Sequence, residues 1–229
     1  LHWMVHSFPT RRSSDLSGLL APDGGGPDPV GAKKHIEDNH MSEERKKAGV
    51  DLGLSDEEKE QLRSLVRDAI QHQLNGTDFQ TAPISSKNLA QPRGAFVSLH
   101  RRNRLRGCIG HIQPDRPLFE TIQEMAVAAA FEDPRFPPLR SDEYGDLDIE
   151  ISVLTPLQKI SDISEIEVGK HGIYIVKEFY AGLLLPQVAV DYGWDRLTFL
   201  QQTCLKAGLP ADAWKEGDAK IYIFSADIF

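Results

Sequence analysis

The spacing of apolar residues along the chain predicts three amphipathic helices. The first begins at residues 55–58 (Ser-Asp-Glu-Glu), which fit a capping box, and it ends at 75–76 (Asn-Gly). A second helix is predicted at 117–131 and a third at 195–207. The first two carry apolar side chains at helical intervals: Leu62, Leu65, Val66, Ala69 and Ile70, then Leu118, Ile122, Met125, Ala126 and Ala129.

Shorter runs of alternating polarity predict strands. The runs at 94–100 and 104–112 flank the polar segment 101–103 and predict a β-hairpin. Residues 148–154 alternate isoleucine and valine with polar residues, which predicts a strand with one buried face. Further strands are predicted at 172–177 and 220–224. Because helices and strands do not alternate regularly, we predict an α+β fold with a mainly antiparallel sheet packed against helices.

The first part of the chain lacks this periodicity. It has no apolar segment followed by a cleavage site, so we do not expect it to be a signal peptide. Residues 8–16 resemble the translation of a sequencing-adaptor oligonucleotide, and 24–31 are rich in glycine and proline. We predict that 1–40 form a disordered, non-native and dispensable leader, that 41–54 are flexible, and that 55–229 form one domain. The alternative for the leader is a genuine flexible extension.

Composition and charge exclude several classes of function. The chain has 229 residues, a formal net charge of −8 and two cysteines. Nucleic-acid binders normally carry a basic surface, and two cysteines are too few for a disulfide framework. No apolar run reaches the roughly 20 residues of a membrane helix. We therefore expect a cytoplasmic protein that binds neither nucleic acid nor membrane.

The most informative segment is the hexapeptide Leu-Arg-Gly-Cys-Ile-Gly at 105–110. In a strand, period-2 alternation places Arg106, Cys108 and Gly110 on one face, with Arg106 about 7 Å from the cysteine. The guanidinium would then favour a thiolate, and Gly107 and Gly110 would leave the sulfur uncrowded and let another backbone or a ligand approach closely. The alternative is a small buried cysteine with a purely structural role.

Two further residues are candidates for a functional site, and the second cysteine serves as a comparison for Cys108. Asp133 and Arg135 lie in a loop stiffened by prolines, and they either contact a ligand or partner or pair with each other. Cys204 lies on the apolar stripe of the third predicted helix, so we expect it to be structural. Cys108 should then be the more reactive of the two thiols.

Cofactor motifs are absent from the sequence. There is no Walker loop, no Gly-rich dinucleotide turn and no Gly-x-Ser-x-Gly elbow. His100 and His111 could converge across the predicted hairpin, but no histidine pair has ligand spacing. The arginines at 101–104 fit a solvated hairpin tip. We expect neither a metal nor a cofactor.

The order of seven motifs resembles the AMMECR-one domain family, called protein A of the AmmeMemoRadiSam system in prokaryotes. The resemblance covers about 55–229, and the motifs are 93–99, 105–110, 133–138, 149–155, 168–173, 184–188 and 203–210. It implies a compact α+β domain in two lobes, with the hexapeptide near a cleft. The association of prokaryotic members with a Memo-like protein and a radical SAM enzyme implies these two as possible partners.

Two functional hypotheses follow. In the first, the protein is a non-catalytic partner or substrate-positioning module that acts through a cleft around Cys108. In the second, it is a cysteine-dependent enzyme on a small molecule, with Cys108 and Arg106 as the catalytic residues. In both, the ligand-binding candidates are Gly107, Gly110, Asp133, Arg135, Phe136 and Gln187. No general base can be placed beside Cys108, which favours the first. We also expect Arg106→Ala to impair function more than Arg102→Ala.

Overall fold

The computed structural model describes residues 4–5, 48–79 and 84–229. The helices are α1 (Asp56–Leu74), α2 (Leu118–Phe131), α3 (Ser141–Tyr144), α4 (Pro186–Asp191) and α5 (Arg196–Lys206). The strands are β1 (Met4–Val5), β2 (Ala95–Arg101), β3 (Arg104–His111), β4 (Leu147–Leu154), β5 (Gln158–Ile160), β6 (His171–Lys177), β7 (Tyr180–Leu184) and β8 (Lys220–Ile228). The α+β prediction is confirmed. In the part of the chain that is described, no helix is long and apolar enough to cross a membrane.

The predicted leader, 1–40, lies outside the described residues except for the two residues of β1. This short strand pairs with β3 and has no counterpart in the sequence prediction. Of the predicted flexible segment, only 48–54 is described, and its Leu52 N–H donates to the Asp227 carboxylate at 3.2 Å. The dispensability of the leader therefore stays a prediction.

Helix α1 begins at the predicted capping box. The Ser55 side chain accepts a hydrogen bond from the Glu58 N–H at 3.2 Å, and Glu58 Oε2 accepts one from the Ser55 N–H at 2.9 Å. Glu58 also accepts hydrogen bonds from Ser86 and from Asn88. The carboxylate that begins the helix therefore also anchors the segment that leads into β2.

The strands form one antiparallel sheet. Their order is β1-β3-β2-β4-β8-β6-β7, and β5 also pairs with β8. β8 joins the two halves of the sheet, because residues 226–228 pair with β4 whereas 220–225 pair with β6. The predicted antiparallel pairing is confirmed.

β2 and β3 form the predicted hairpin around a two-residue turn. Arg102 and Asn103 have φ angles of 51° and 59°, as expected in a type I′ turn. His100 lies near this turn, whereas His111 pairs with Ala95 at the other end of the hairpin. The two histidines therefore lie at opposite ends of the hairpin and do not converge.

A bulge interrupts β3 just before the cysteine. Leu99 pairs with Gly107, but the next residue of β2 pairs with Leu105, so Arg106 is an extra residue in β3. The expected shared face of Arg106 and Cys108 rests on unbroken alternation. Because the bulge breaks that alternation, the two side chains are not simple same-face neighbours.

The central strands β2, β3 and β4 are buried on both faces. On one face, α1 and α2 pack against an apolar set that includes Val97, Ile109 and Ile151. On the other face, Ser98 and Ser152 are 2% and 1% exposed. All four residues of 151–154 are buried, so the predicted single buried face of this strand is wrong for its second half.

Candidate functional site

The Cys108 side chain lies opposite Ser98 on the polar face of the sheet. Ser98 Oγ donates a hydrogen bond to Cys108 Sγ at 3.1 Å, and Cys108 is 0% exposed. Burial raises the pKa of the thiol to about 12, because the Ser98 hydrogen bond and the Arg135 charge only partly offset the lost hydration. The thiol is therefore neutral near pH 7, and the predicted thiolate is contradicted.

Asp133 and Arg135 clamp the main chain of Cys108. Asp133 Oδ2 accepts a hydrogen bond from the Cys108 N–H at 2.9 Å, and Arg135 Nη2 donates to the Cys108 carbonyl oxygen at 3.0 Å. Arg135 also donates to Asp133, from Nε at 2.9 Å and from Nη2 at 2.6 Å. Burial raises the pKa of Asp133, but hydrogen bonds from Arg135 and Cys108 outweigh it and leave this pKa lowered. The two loop residues thus pair with each other.

The clamp fixes the direction of the cysteine side chain. Since the N–H and C=O of Cys108 both bond to the loop, Cys108 and Ser98 form a non-hydrogen-bonded pair across the two strands. Side chains approach each other most closely in such pairs. The loop therefore holds the thiol against the Ser98 hydroxyl.

Arg106 is committed to Glu143 of α3. Its Nε and Nη2 each donate to one carboxylate oxygen of Glu143 at 3.0 Å, and Nη2 also donates to the Pro137 carbonyl at 3.0 Å. The Arg106 hydrogen bond is the main reason that the pKa of Glu143 falls to about 2. The charge that most favours a Cys108 thiolate comes from Arg135 and not from Arg106. The predicted support of the thiol by Arg106 is therefore wrong.

The two flanking glycines are required for packing. A Cβ at Gly107 would lie 2.0 Å from the carbonyl oxygen of Ala129 in α2, and one at Gly110 would lie 2.2 Å from the Phe96 ring. The backbone of α2 therefore approaches Gly107 closely, which is one of the two outcomes that the sequence predicts for these glycines, and the Phe96 ring approaches Gly110. The expected uncrowded sulfur is contradicted, because Cys108 is 0% exposed.

Gln187, in the first turn of α4, lies over β4. Its Nε2 donates to Glu150 Oε1 at 3.0 Å and to Ser152 Oγ at 3.1 Å. The reverse amide orientation would place two acceptors against each other, so these bonds fix the amide. Gln187 is 8% exposed, and its Oε1 is buried without a hydrogen-bond partner among the described residues. An unpaired buried acceptor costs about 1–3 kcal/mol, which a bound donor group would recover.

Lys206, the last residue of α5, is a charged group of this site that the sequence analysis missed. Burial is the main reason that its pKa falls to about 8, and the charge of Arg135 lowers it further. The Asp133 carboxylate acts in the opposite direction. A signal was present in the sequence, because Lys206 follows the buried Thr203 by three residues and so lies near the buried side of the helix.

Phe136 lies between the clamp and the ion pair of Arg106. The guanidinium carbons of Arg135 and Arg106 lie 5.4 and 5.9 Å from the centroid of its ring. Both distances are within the range of cation–π contacts. The ring therefore packs against both arginines, and its proposed contact with a ligand stays a prediction.

The second thiol and the histidines complete the set of candidates. Cys204 is 0% exposed in α5, and burial raises the pKa of its thiol. Because both thiols are buried with raised pKa values, the expected greater reactivity of Cys108 loses its basis. His111 Nε2 lies 3.0 Å from Asp115 Oδ1. Within the described ranges, no group of three or more His, Cys, Asp or Glu side chains is arranged to hold a metal ion.

Comparisons with known proteins agree with the resemblance seen in the motifs. The family model described as AMMECR1 matches residues 63–229. A protein of Thermococcus gammatolerans is 45% identical over 187 residues, which are 77% of this chain and 91% of that protein. Protein MK0488 of Methanopyrus kandleri is 45% identical over 183 residues, which are 76% of this chain and 88% of that protein.

A solved structure has the same fold. The crystal structure of the uncharacterized protein PH0010 from Pyrococcus horikoshii superimposes with a TM-score of 0.74 at 42% sequence identity. The superposition covers 76% of this chain and 92% of that one. The matched residues include the whole segment from the hexapeptide to the clamp and Lys206. The chain belongs to the AMMECR1 family.

Proposed function

We propose that the protein is a non-catalytic, substrate-positioning component of an AmmeMemoRadiSam-type modification system. Its binding site is the polar cluster around Cys108, and its partners are a Memo-like protein and a radical SAM enzyme. The partners come from the family resemblance. The site comes from Cys108, Ser98 and Glu150, which lie side by side on one face of the sheet, and from Gln187, which bonds to Glu150.

The buried, neutral thiol is the observation that carries the non-catalytic assignment. A cysteine nucleophile works as a thiolate in a partly exposed, electropositive setting. Cys108 is instead 0% exposed, its pKa is raised to about 12, and Ser98 donates a hydrogen bond to its sulfur. A group of this kind fills and shapes a site.

Serine replacement of each cysteine tests this proposal. Cys108→Ser keeps the shape of the side chain but removes the thiol, and Cys204→Ser is the matched control because Cys204 is equally buried. The measurements are co-purification with the Memo-like protein and the radical SAM enzyme, and product formation by the assembled system. We expect Cys108→Ser to retain both activities to within about twofold.

Two results would contradict the proposal in different ways. Loss of product formation in Cys108→Ser, with an unchanged melting temperature, would identify the thiol as a reacting group. Failure of the native protein to bind either partner would remove the assignment to this system.

A cysteine-dependent enzyme is the second candidate, and Lys206 is the observation that favours it. In this candidate the Lys206 amine, with its pKa lowered to about 8, takes the role of the general base that the sequence analysis could not place. Alkylation of the native protein across pH, followed by mass spectrometry, separates the two candidates. The positioning role predicts slow alkylation of both cysteines at every pH at which the protein remains folded. Rapid labelling of Cys108 alone, lost in Lys206→Met, would support the enzyme.

A further inference from the structure

A large apolar side chain is fully exposed in the turn between β6 and β7. This turn consists of Glu178 and Phe179, which we call the hairpin tip. Phe179 is 100% exposed, whereas the other large apolar side chains that the described residues expose are 39–51% exposed. Aromatic rings are frequent anchors of protein–protein interfaces, because burying one ring removes a large apolar area from water. The hairpin tip is therefore a candidate anchor for a binding partner.

The hairpin holds this ring in a defined position. Glu178 has a φ angle of 51°, in the left-handed region that a residue with a large side chain rarely adopts. Just before the turn, Lys177 forms an ion pair with Glu216, and its Nζ lies 3.4 Å from Asp218 Oδ1. These ion pairs connect the hairpin to the segment before β8. A partner would therefore meet a ring that is already in place, which lowers the entropic cost of binding.

A groove that fits an aromatic ring lies where β2 begins and where β3 and β4 end. Its volume is about 350 Å³, and it is lined by the half-buried Ile112 and by three exposed prolines, Pro92, Pro114 and Pro156. We call it the proline groove. An apolar cavity of about 150 Å³ already accommodates a benzene ring, so the proline groove has room for a phenylalanine side chain.

The hairpin tip and the proline groove carry opposite charges. Glu178 lies directly beside Phe179, and Arg93 is one of the residues that line the groove. Arg93 Nη2 donates to the neutral Gln91 Oε1 at 3.2 Å, and no described residue forms an ion pair with this arginine. A ring seated in the groove would bring the Glu178 carboxylate towards the Arg93 guanidinium. The two surfaces are therefore complementary in both shape and charge.

The hairpin tip cannot reach the groove of its own chain. Close to the tip, Val176 pairs with Lys220 of β8. At the groove, Thr155 accepts a hydrogen bond from the Ser225 N–H at 2.9 Å. The five residues from 220 to 225 span about 17 Å of strand. Because the hairpin is part of the same sheet, the ring and the groove can meet only between two copies of the chain.

We propose that the protein self-associates, with the Phe179 ring of one copy seated in the proline groove of a second copy. The ring provides most of the affinity. The ion pair between Glu178 and Arg93 fixes the orientation, because an exposed ion pair contributes little affinity by itself. A contact made by one ring and its surroundings is smaller than a standard interface, so we expect a weak association with a Kd on the order of 100 µM.

Analytical ultracentrifugation of the full chain over a range of concentrations tests the proposal. The average mass of the native protein should rise above that of the monomer as the concentration approaches the Kd. Phe179→Ala should weaken the association about thirtyfold or more, and its fold should be unaffected because the ring is 100% exposed. The control is Leu197→Ala, which shortens an apolar side chain that is 45% exposed on α5 and should leave the Kd unchanged.

Charge reversal tests the orientation of the contact. Glu178→Arg and Arg93→Glu each place like charges opposite each other, so each should weaken the association about threefold or more. The double variant carries the same pair in reverse and should return to within about twofold of the native Kd. A double variant that associates no better than either single variant overturns the proposed pairing.

A mixing experiment tests whether ring and groove belong to different copies. Phe179→Ala keeps an intact groove, and Pro114→Asp keeps an intact ring but places a carboxylate at an exposed position of the groove. Each variant alone should remain monomeric at concentrations at which the native protein associates. An equal mixture should associate, because the ring of one variant can enter the groove of the other.

Three results would overturn the self-association. They are a native protein that stays monomeric up to about 1 mM, association that is unchanged in Phe179→Ala, and a mixture of the two variants that stays monomeric. A monomeric native protein that binds the Memo-like protein through Phe179 would also overturn it, and would assign the hairpin tip to a different partner.

Discussion

The Arg106–Glu143 ion pair allows a quantitative prediction of stability. Arg106→Ala removes two hydrogen bonds of 3.0 Å from a carboxylate that is only 12% exposed. The pKa of Glu143 falls from an ordinary 4.5 to about 2, and this difference corresponds to about 3 kcal/mol of folding free energy at neutral pH. Arg101 and the Arg140 N–H also donate hydrogen bonds to Glu143, so part of this stabilisation remains in the variant. We therefore expect Arg106→Ala to lower the free energy of unfolding by about 2–3 kcal/mol.

The same ion pair predicts a pH dependence of a defined sign. Because the pKa of Glu143 is lower in the folded than in the unfolded state, its stabilisation is complete above about pH 4.5 and is lost as the pH falls towards about 2. In Arg106→Ala the folded-state pKa moves back towards its ordinary value. The stability difference between the native protein and the variant should therefore shrink as the pH is lowered.

Urea unfolding followed by circular dichroism, at neutral pH and at several lower pH values, measures both effects. Arg102→Ala is the control, because Arg102 is 80% exposed and lies 3.9 Å from its carboxylate, Asp146. Its removal should cost less than about 0.5 kcal/mol. Equal losses in the two variants, or a loss in Arg106→Ala that does not change with pH, would refute the reasoning.

Two further substitutions test the packing around the cysteine. Gly107→Ala should destabilise the fold by about 1–3 kcal/mol in a thermal unfolding assay, because the added Cβ would lie 2.0 Å from the Ala129 carbonyl oxygen. Gly145→Ala is the control: its Cβ would have no neighbour within 4 Å, so its stability should be close to that of the native protein. Asp133→Asn should lower the free energy of unfolding by about 3 kcal/mol, because it leaves the partly buried Arg135 without its carboxylate partner. A melting temperature equal to that of the native protein would contradict the role of the clamp.

The features that the sequence predicted correctly have local causes. The capping box at Ser55 and the apolar repeat that follows it are contained within one helix. The hairpin depends on a turn of two residues between two short strands. In each case the residues that determine the structure lie close together along the chain, so their spacing is sufficient evidence.

The features that the sequence missed depend on distant residues. Glu150 lies on what local alternation marks as the exposed face of a strand, but it accepts a hydrogen bond from Gln187, 37 residues further along the chain. The bulge at Arg106 is visible only from the register against β2, and the Glu143 carboxylate that binds this arginine also lies 37 residues away. The resemblance to a family indicated Gln187 as a candidate, but the charge pattern of the site emerges only when these elements are packed together.

The position of β8 in the sheet has a consequence for how the protein folds during synthesis. β8 bridges β4 to β5 and β6, yet residues 220–228 are translated after all of those strands. A nascent chain can close the β2–β3 hairpin from local contacts, but its two half-sheets have no common edge until β8 has left the ribosome. Gln187 follows β7 and bonds to Glu150 and Ser152 of β4, so these contacts should form only once β8 has joined the two halves. A chain stalled before β8 would expose the unpaired edges of β4 and β6, which makes it a substrate for chaperones.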